Sequence, residues 1–157
     1  MRNVEIREFR EGDEPGIRDV IKGVFDEYGF TWEEGGYNND TAEVRNYYHA
    51  TGGGFWVLTE GERIIGTVGI KGRTPAKCEL YRLYLPKDQR GRGFGKLLYE
   101  FAQKAAREAG YVEMEIWSDK KLATAHQMYA RSGAKPIGER ICDDPDNSEE
   151  FGFLLAL

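Results

Sequence analysis

Apolar and charged positions alternate at the start of the chain, with Val4, Ile6 and Phe9 apolar, which predicts a first strand. Glu11-Gly12-Asp13 turns the chain, with Asp13 the expected N-cap and Pro15 in the first helical turn. Ile17, Val20, Ile21, Val24, Phe25 and Tyr28 then recur at helical spacing, and Gly29 fits the helix end. Residues 30–39 are rich in Gly, Asn, Glu and aromatics and read as a loop carrying Trp32 and Tyr37. A second helix is expected from Asp40 or Thr41 to about Ala50, before a glycine break at 51–54. The runs 55–59 and 63–70 are β-rich, with Glu60-Gly61-Glu62 as a hairpin turn between them. After a turn at 73–76, residues 77–85 form the expected central strand. A helix from Gly93 carries Phe94, Leu97, Leu98, Phe101, Ala102, Ala105 and Ala109 on one face, and Gly110 stops it. Residues 111–117 are a further strand and 122–132 a helix striped by Leu122, Ala125, Met128 and Tyr129, ended by Gly133. Strands over 135–142 and 151–157 close the chain around an acidic turn at 143–150. The predicted order is β-α-α-β-β-β-α-β-α-β-β, an α/β chain with a mixed sheet.

A length of 157 residues fits one domain, 1–157, with room for a core. Hydrophobic residues make up 40% and aromatics 13%, which excludes a disordered chain. No apolar run approaches the ~20 residues of a membrane helix, and the N-terminus does not read as a signal peptide. A cytoplasmic protein is the expectation, with no membrane partner. Cys78 and Cys142 are far apart and expected to be reduced. His49 and His126 lack partners at ligand spacing, so no metal is expected. The sequon Asn39-Asp40-Thr41 carries no weight without a secretory signal. A net charge of −5 argues against a nucleic-acid partner, so the basic cluster at 87–96 suits one phosphorylated ligand.

That cluster lies in Arg90-Gly91-Arg92-Gly93-Phe94-Gly95-Lys96, between the central strand and a helix. Glycines let backbone N–H groups approach a ligand closely, and the following helix aims its free N–H groups and positive dipole end at the same point. Phosphate suits such a place. The P-loop pattern fails at Arg90 and Leu97, and the dinucleotide pattern fails at Lys96. Arg90-x-x-Gly93-x-Gly95 does match, and it resembles the acetyl-CoA signature of the GNAT (GCN5-related) N-acetyltransferases. The resemblance covers nearly the whole chain and is firmest from Lys77 to Gly133. Met114 to Asp119, followed by Ala125-His126-x-x-Tyr129-x-x-x-Gly133, resembles the second block of that family. Ala134 departs from it, standing where the family usually has Phe.

The resemblance implies the GNAT fold, with the strand ending at Leu85 splayed from the one ending at Trp117. It implies acetyl-CoA as cosubstrate and an amine as acceptor. Arg90, Gly91, Arg92, Gly93, Phe94, Gly95 and Lys96 would hold the phosphates. The Leu83 N–H would face the thioester carbonyl, and Tyr84 and Leu85 would pair with the pantetheine arm. About one lysine-like amine in 2,000 is neutral at pH 7, so a general base helps. Glu79 occupies the family's base position, Glu115 on the next strand is its rival, and a water chain stays open. Tyr129 is the candidate general acid for the departing thiolate, while His126 is expected to pack. Strand alternation puts Cys78 opposite Glu79, and no acyl-enzyme cysteine is marked, so the implied mechanism is direct attack in a ternary complex.

Tyr28, Trp32, Glu33, Glu34, Tyr37 and the 143–150 turn fall where an acceptor would enter, and their acidity favours a cationic small amine or a lysine or N-terminal amine. An amino acid, peptide or protein amine is included in that class. A CoA-binding regulatory module without catalysis is the alternative, and an ATP-binding loop is set aside by the failed P-loop pattern. The acceptor's identity and the choice between monomer and homodimer stay open.

Overall fold

The computed structural model describes residues 3–157. Seven strands form one mixed sheet in the order β1-β2-β3-β4-β5-β7-β6. They are β1 (Val4–Glu8), β2 (Gly54–Glu60), β3 (Arg63–Gly72), β4 (Lys77–Tyr84), β5 (Glu113–Asp119), β6 (Lys135–Ile141) and β7 (Glu149–Ala156). Four α-helices accompany them: α1 (Glu14–Tyr28), α2 (Val44–Tyr47), α3 (Phe94–Glu108) and α4 (Ala123–Arg131). The mixed α/β architecture read from the hydrophobic periods is the one observed.

Alternation along the strands sorts side chains to two faces. Phe55 and Val57 join Ile17, Ile21 and Phe25 of α1, with Val44 and Tyr48, in one core. Leu58, Ile65, Val68 and Ile70 join Leu98, Tyr99 and Ala102 of α3 and Tyr129 of α4 in the other. Gly29 ends α1 in the left-handed conformation at φ 74°, and its amide turns back to the helix carbonyls.

Four local expectations are corrected. Asp13 starts α1 but caps nothing with its side chain. Its carboxylate accepts two bonds from Arg7 and one from the Arg10 amide, at 2.8, 2.8 and 2.9 Å. The second helix is broken into 3₁₀ turns at Asn39–Thr41 and His49–Thr51 flanking the short α2, where Asp40 is held by Arg82 from β4 and by the Tyr48 hydroxyl and the chain wraps that contact. In α3 the buried line is Leu98, Tyr99, Ala102 and Ala106, while Leu97 and Ala109 are exposed. The sheet, not the apolar pattern, fixes that helix's rotation. β7 begins two residues early, at Glu149, where Glu150 pairs across to Arg140 of β6.

The site is made by a fault in the sheet. β4 and β5 run parallel and pair only from Lys77↔Glu113 to Leu80↔Ile116. Beyond Leu80, β4 stays with β3 as far as Tyr84, and β5 stays with β7 as far as Asp119. The two central strands therefore part at their C-terminal ends. At the parting, β4 carries an extra residue against β3, a bulge, and Arg82 adopts φ 52° there.

Candidate active site

Two cavities open where β4 leaves β5. One, of about 290 Å³, is walled by Leu83, Tyr84 and Leu85 of β4 and its end, the loop from Arg90 to Lys96, and α4. The other, of about 220 Å³, is lined by Glu79, Tyr81 and Arg82 of β4, Trp117 to Asp119 of β5, Tyr129 of α4, and side chains from α1 and the 37–48 segment. Leu83, Tyr84, Leu122 and Ala125 belong to both walls. The cavities thus adjoin through the splay.

In the first cavity the loop presents backbone. Gly91 and Gly93 have φ 78° and 81°, left-handed values that favour glycine. Gly93 is the N-cap of α3, so the first-turn amides after it have no carbonyl one turn back to receive them. These donors and the helix dipole suit a phosphate. The loop's side chains divide. Lys96 is exposed and reaches only Glu100, at 3.8 Å. Arg90 spends both terminal nitrogens on Glu27, at 2.6 and 2.7 Å, and also donates to the Leu85 carbonyl. Arg92 lies outside the cavity wall, over the Phe94 ring, and donates to Gln89 and Glu60. A diphosphate here would meet amides and Lys96 first, with Arg90 available on exchange with Glu27.

The second cavity holds the titratable groups. Glu79 is buried. Its Oε1 takes both contacts of Arg73, at 2.6 and 2.7 Å, and Arg73 also bonds the Tyr81 hydroxyl. Glu115 is the register partner of Glu79 on β5 but is absent from the cavity wall. It pairs with Lys77 at 2.8 Å and accepts from the Trp117 indole, and the Lys77 bond holds its carboxyl below the usual range. Tyr129 is 4% exposed, packed between the Tyr99 and Phe153 rings. Burial, with Tyr99 and Tyr84 nearby, pushes its phenol well above the usual value. His126 packs edge-on to Phe151, with Nε2 3.0 Å from the Ser118 hydroxyl. Cys78 points into the core on the face opposite Glu79, and burial pushes its thiol up to about 12.

Several partners had no sequence signal. Arg82 forks onto Asp40 at 2.8 and 2.9 Å, and Tyr48 donates to the same carboxylate. Arg140 lies 4.4 Å over the Trp117 ring and pairs with Glu150 at 2.7 Å. Lys71, the register partner of Glu79 on β3, sits over the Tyr47 and Tyr81 rings. These contacts close over 8 to 42 residues of chain, by strand pairing and loop closure, which no local pattern encodes. Of the aromatics expected at the acceptor entrance, Tyr37 lines this cavity, while Tyr28 lines the other. Trp32 packs edge-on to Phe25, and its indole is held by Glu34.

Comparison with known proteins agrees with this geometry. The acetyltransferase (GNAT) family profile matches residues 18–134. The chain is 31% identical to the uncharacterized N-acetyltransferase YjgM of Escherichia coli (strain K12), over 80% of this chain and 78% of that protein. It is 30% identical to N-acetyltransferase 8 of Rattus norvegicus over 68% of its length, but spans only 50% of that longer protein. Among solved structures, an acetyltransferase from Streptococcus agalactiae 2603 superposes with TM-score 0.85 at 20% identity, covering 98% of each chain. The yncA protein of Salmonella typhimurium, a putative acetyltransferase solved with its cofactor acetyl-CoA, superposes with TM-score 0.79 at 15% identity, covering 98% of this chain and 94% of its own. A glycine loop at a helix N-terminus, a splayed parallel strand pair and this profile match have one common explanation: the chain belongs to the GNAT family of acetyltransferases.

Proposed function

We propose that this chain transfers an acetyl group from acetyl-CoA to a primary amine while both are bound. The observation that carries the reading is the pair of cavities sharing Leu83, Tyr84, Leu122 and Ala125. One has an anion-binding wall and the other has the acid–base groups, so a thioester seated between them meets an amine from the far side. Acetyl-CoA supplies the activated acetyl group. The residues fit it: the amides of 91–96 and Lys96 receive the phosphates, and the edge of β4 at Leu83 and Tyr84, which has lost β5, faces the pantetheine arm.

The remaining roles follow from position. A backbone donor at Leu83 steadies charge developing on the thioester oxygen, an effect typically worth about 10²–10³ in rate. As nitrogen bonds to the carbonyl carbon and the carbon–sulfur bond breaks, Tyr129 gives its proton to sulfur. The amine's surplus proton leaves toward Glu79. Four residues of strand separate Glu79 from Leu83, about 13 Å, so a chain of waters carries the proton between them. Glu115, outside the cavity wall, is assigned no proton transfer.

The test is release of free thiol from acetyl-CoA against a panel of polyamines, amino acids, aminoglycosides and lysine peptides, with acetyl-CoA binding followed calorimetrically. Binding with turnover on one class is expected. Binding without turnover favours a regulatory CoA module, and absence of binding overturns the reading of the glycine loop.

A further inference from the structure

The wall of the second cavity is less acidic than its loops suggest. Three of its carboxylates are matched by cations: Asp40 by Arg82, Glu79 by Arg73, and Glu150 by Arg140, while Asp119, at its edge, accepts from the Lys121 amide. Asp144 accepts from the amide and hydroxyl of Ser148. Lys71 is different. It lines the cavity half-buried, its Nζ is 5.5 Å from the centroids of both the Tyr47 and Tyr81 rings, and no carboxylate among the described residues lies within ion-pair distance of it. Two aromatic faces hold the ammonium in place without neutralising it. A cation held on a cavity wall and left without a counter-ion is a site for an anionic group.

We infer that Lys71 binds a carboxylate of the acceptor, so that the acceptor is an amine bearing a carboxylate at a distance. This rests on the acetyl-transfer reading above and deepens it. The spacing follows from the strand. Lys71 is level with Glu79, four residues from Leu83, and its ammonium leans over Tyr81, two residues from Leu83. At ~3.3 Å per residue these are about 13 and 7 Å. The carboxylate therefore lies roughly 7–13 Å from the reacting nitrogen, by the same strand rise. A simple α-amino group is too close to its own carboxylate for this. The side-chain amine of a basic amino acid, an ω-amino acid, or the terminal amine of a short peptide fits.

The experiment uses the full chain with saturating acetyl-CoA and ω-amino acids of increasing length, from glycine to aminooctanoate, with aminohexanamide and hexylamine as uncharged controls. Initial rates give kcat and KM. Binding of the same compounds to the protein–CoA complex is measured calorimetrically, so the result does not depend on turnover. KM and Kd are expected to fall with chain length, and aminohexanoate to be preferred over its amide by about tenfold to a hundredfold, the range of one charge-assisted bond. Lys71→Met keeps the stem over the rings and should abolish that preference through KM, leaving kcat and acetyl-CoA affinity in place, while Lys71→Arg should restore it. Equal binding of acid and amide, a preference that survives in Lys71→Met, or no binding of any member overturns the proposal. Normal carboxylate-dependent binding without acetylation upholds the Lys71 site and instead refutes the acetyl-transfer reading.

Discussion

The Tyr129 hydroxyl sits where burial keeps it protonated. Desolvation penalises the phenolate, so the phenol keeps its proton well above neutral pH. Tyr129→Phe removes only the oxygen and leaves the contacts with Tyr99 and Phe153. We expect kcat to fall about a hundredfold or more, the usual worth of a general acid, with acetyl-CoA affinity unchanged. A kcat equal to wild type with chemistry rate-limiting would remove Tyr129 from the mechanism. Asp40 illustrates a structural counterpart. Burial alone would raise its carboxyl, but the charge and hydrogen bonds of Arg82 and the Tyr48 bond leave it lowered. A carboxyl lowered in the folded state contributes stability that is present above its unfolded pKa of about 3.9 and lost as pH falls through the folded value. Asp40→Ala leaves Arg82 buried and unpaired and should cost about 3–5 kcal/mol at pH 7. In urea melts that difference should shrink on acidification below pH 4. A loss under 1 kcal/mol at pH 7 would mean the pair is not buried as described.

At the scale of elements, the proposed reading makes the loop and α3 one anion receptor. Gly93 is the N-cap at φ 81°, and a Cβ added there meets nothing within 4 Å, so only conformation and charge change on substitution. Gly93→Asn and Gly93→Asp impose similar strain, about 1 kcal/mol. The carboxylate of Gly93→Asp additionally competes for the first-turn amides. We expect Gly93→Asp to bind acetyl-CoA at least about tenfold more weakly than Gly93→Asn, since one lost charge-assisted bond is worth that much. Equal affinities in calorimetry would show that these amides do not face phosphate. This receptor was legible from Arg90 to Lys96 because all its parts are contiguous. The Arg90–Glu27 and Arg92–Glu60 pairs were not, since α1 and β2 reach the loop only in three dimensions.

Across the molecule, the sheet separates two compartments and joins them at one gap. On the proposed reading both substrates bind together, and Cys78, facing the opposite core with its thiol pushed up to about 12, has almost no thiolate at neutral pH. Initial-velocity plots against acetyl-CoA at several acceptor concentrations should therefore intersect. Parallel lines would indicate an acyl-enzyme and overturn the ternary-complex mechanism. The gap depends on where β4 and β5 stop pairing, and on side chains packed beside it. Trp117 lies flat over Gly152 of β7, whose added Cβ would stand 2.5 Å from the ring, with Arg140 on its other face.

What the sequence alone determined is what short-range physics encodes. Hydrophobic period sets the strands and three of the helices, glycines with left-handed φ set turns and caps, and a contiguous glycine-basic loop before a helix marks the proposed phosphate site. The rotation of α3, the breaking of the second helix and the charge of the acceptor cavity were decided only by tertiary structure. Each depends on which side chains meet across the sheet: Asp40 with Arg82, Glu79 with Arg73, Glu150 with Arg140. Read along the chain, the loops near that cavity are acidic. Folded, Asp40, Glu79 and Glu150 pair with Arg82, Arg73 and Arg140, while Lys71 has no carboxylate within ion-pair distance among the described residues, because the charge a site presents depends on pairing as well as on composition.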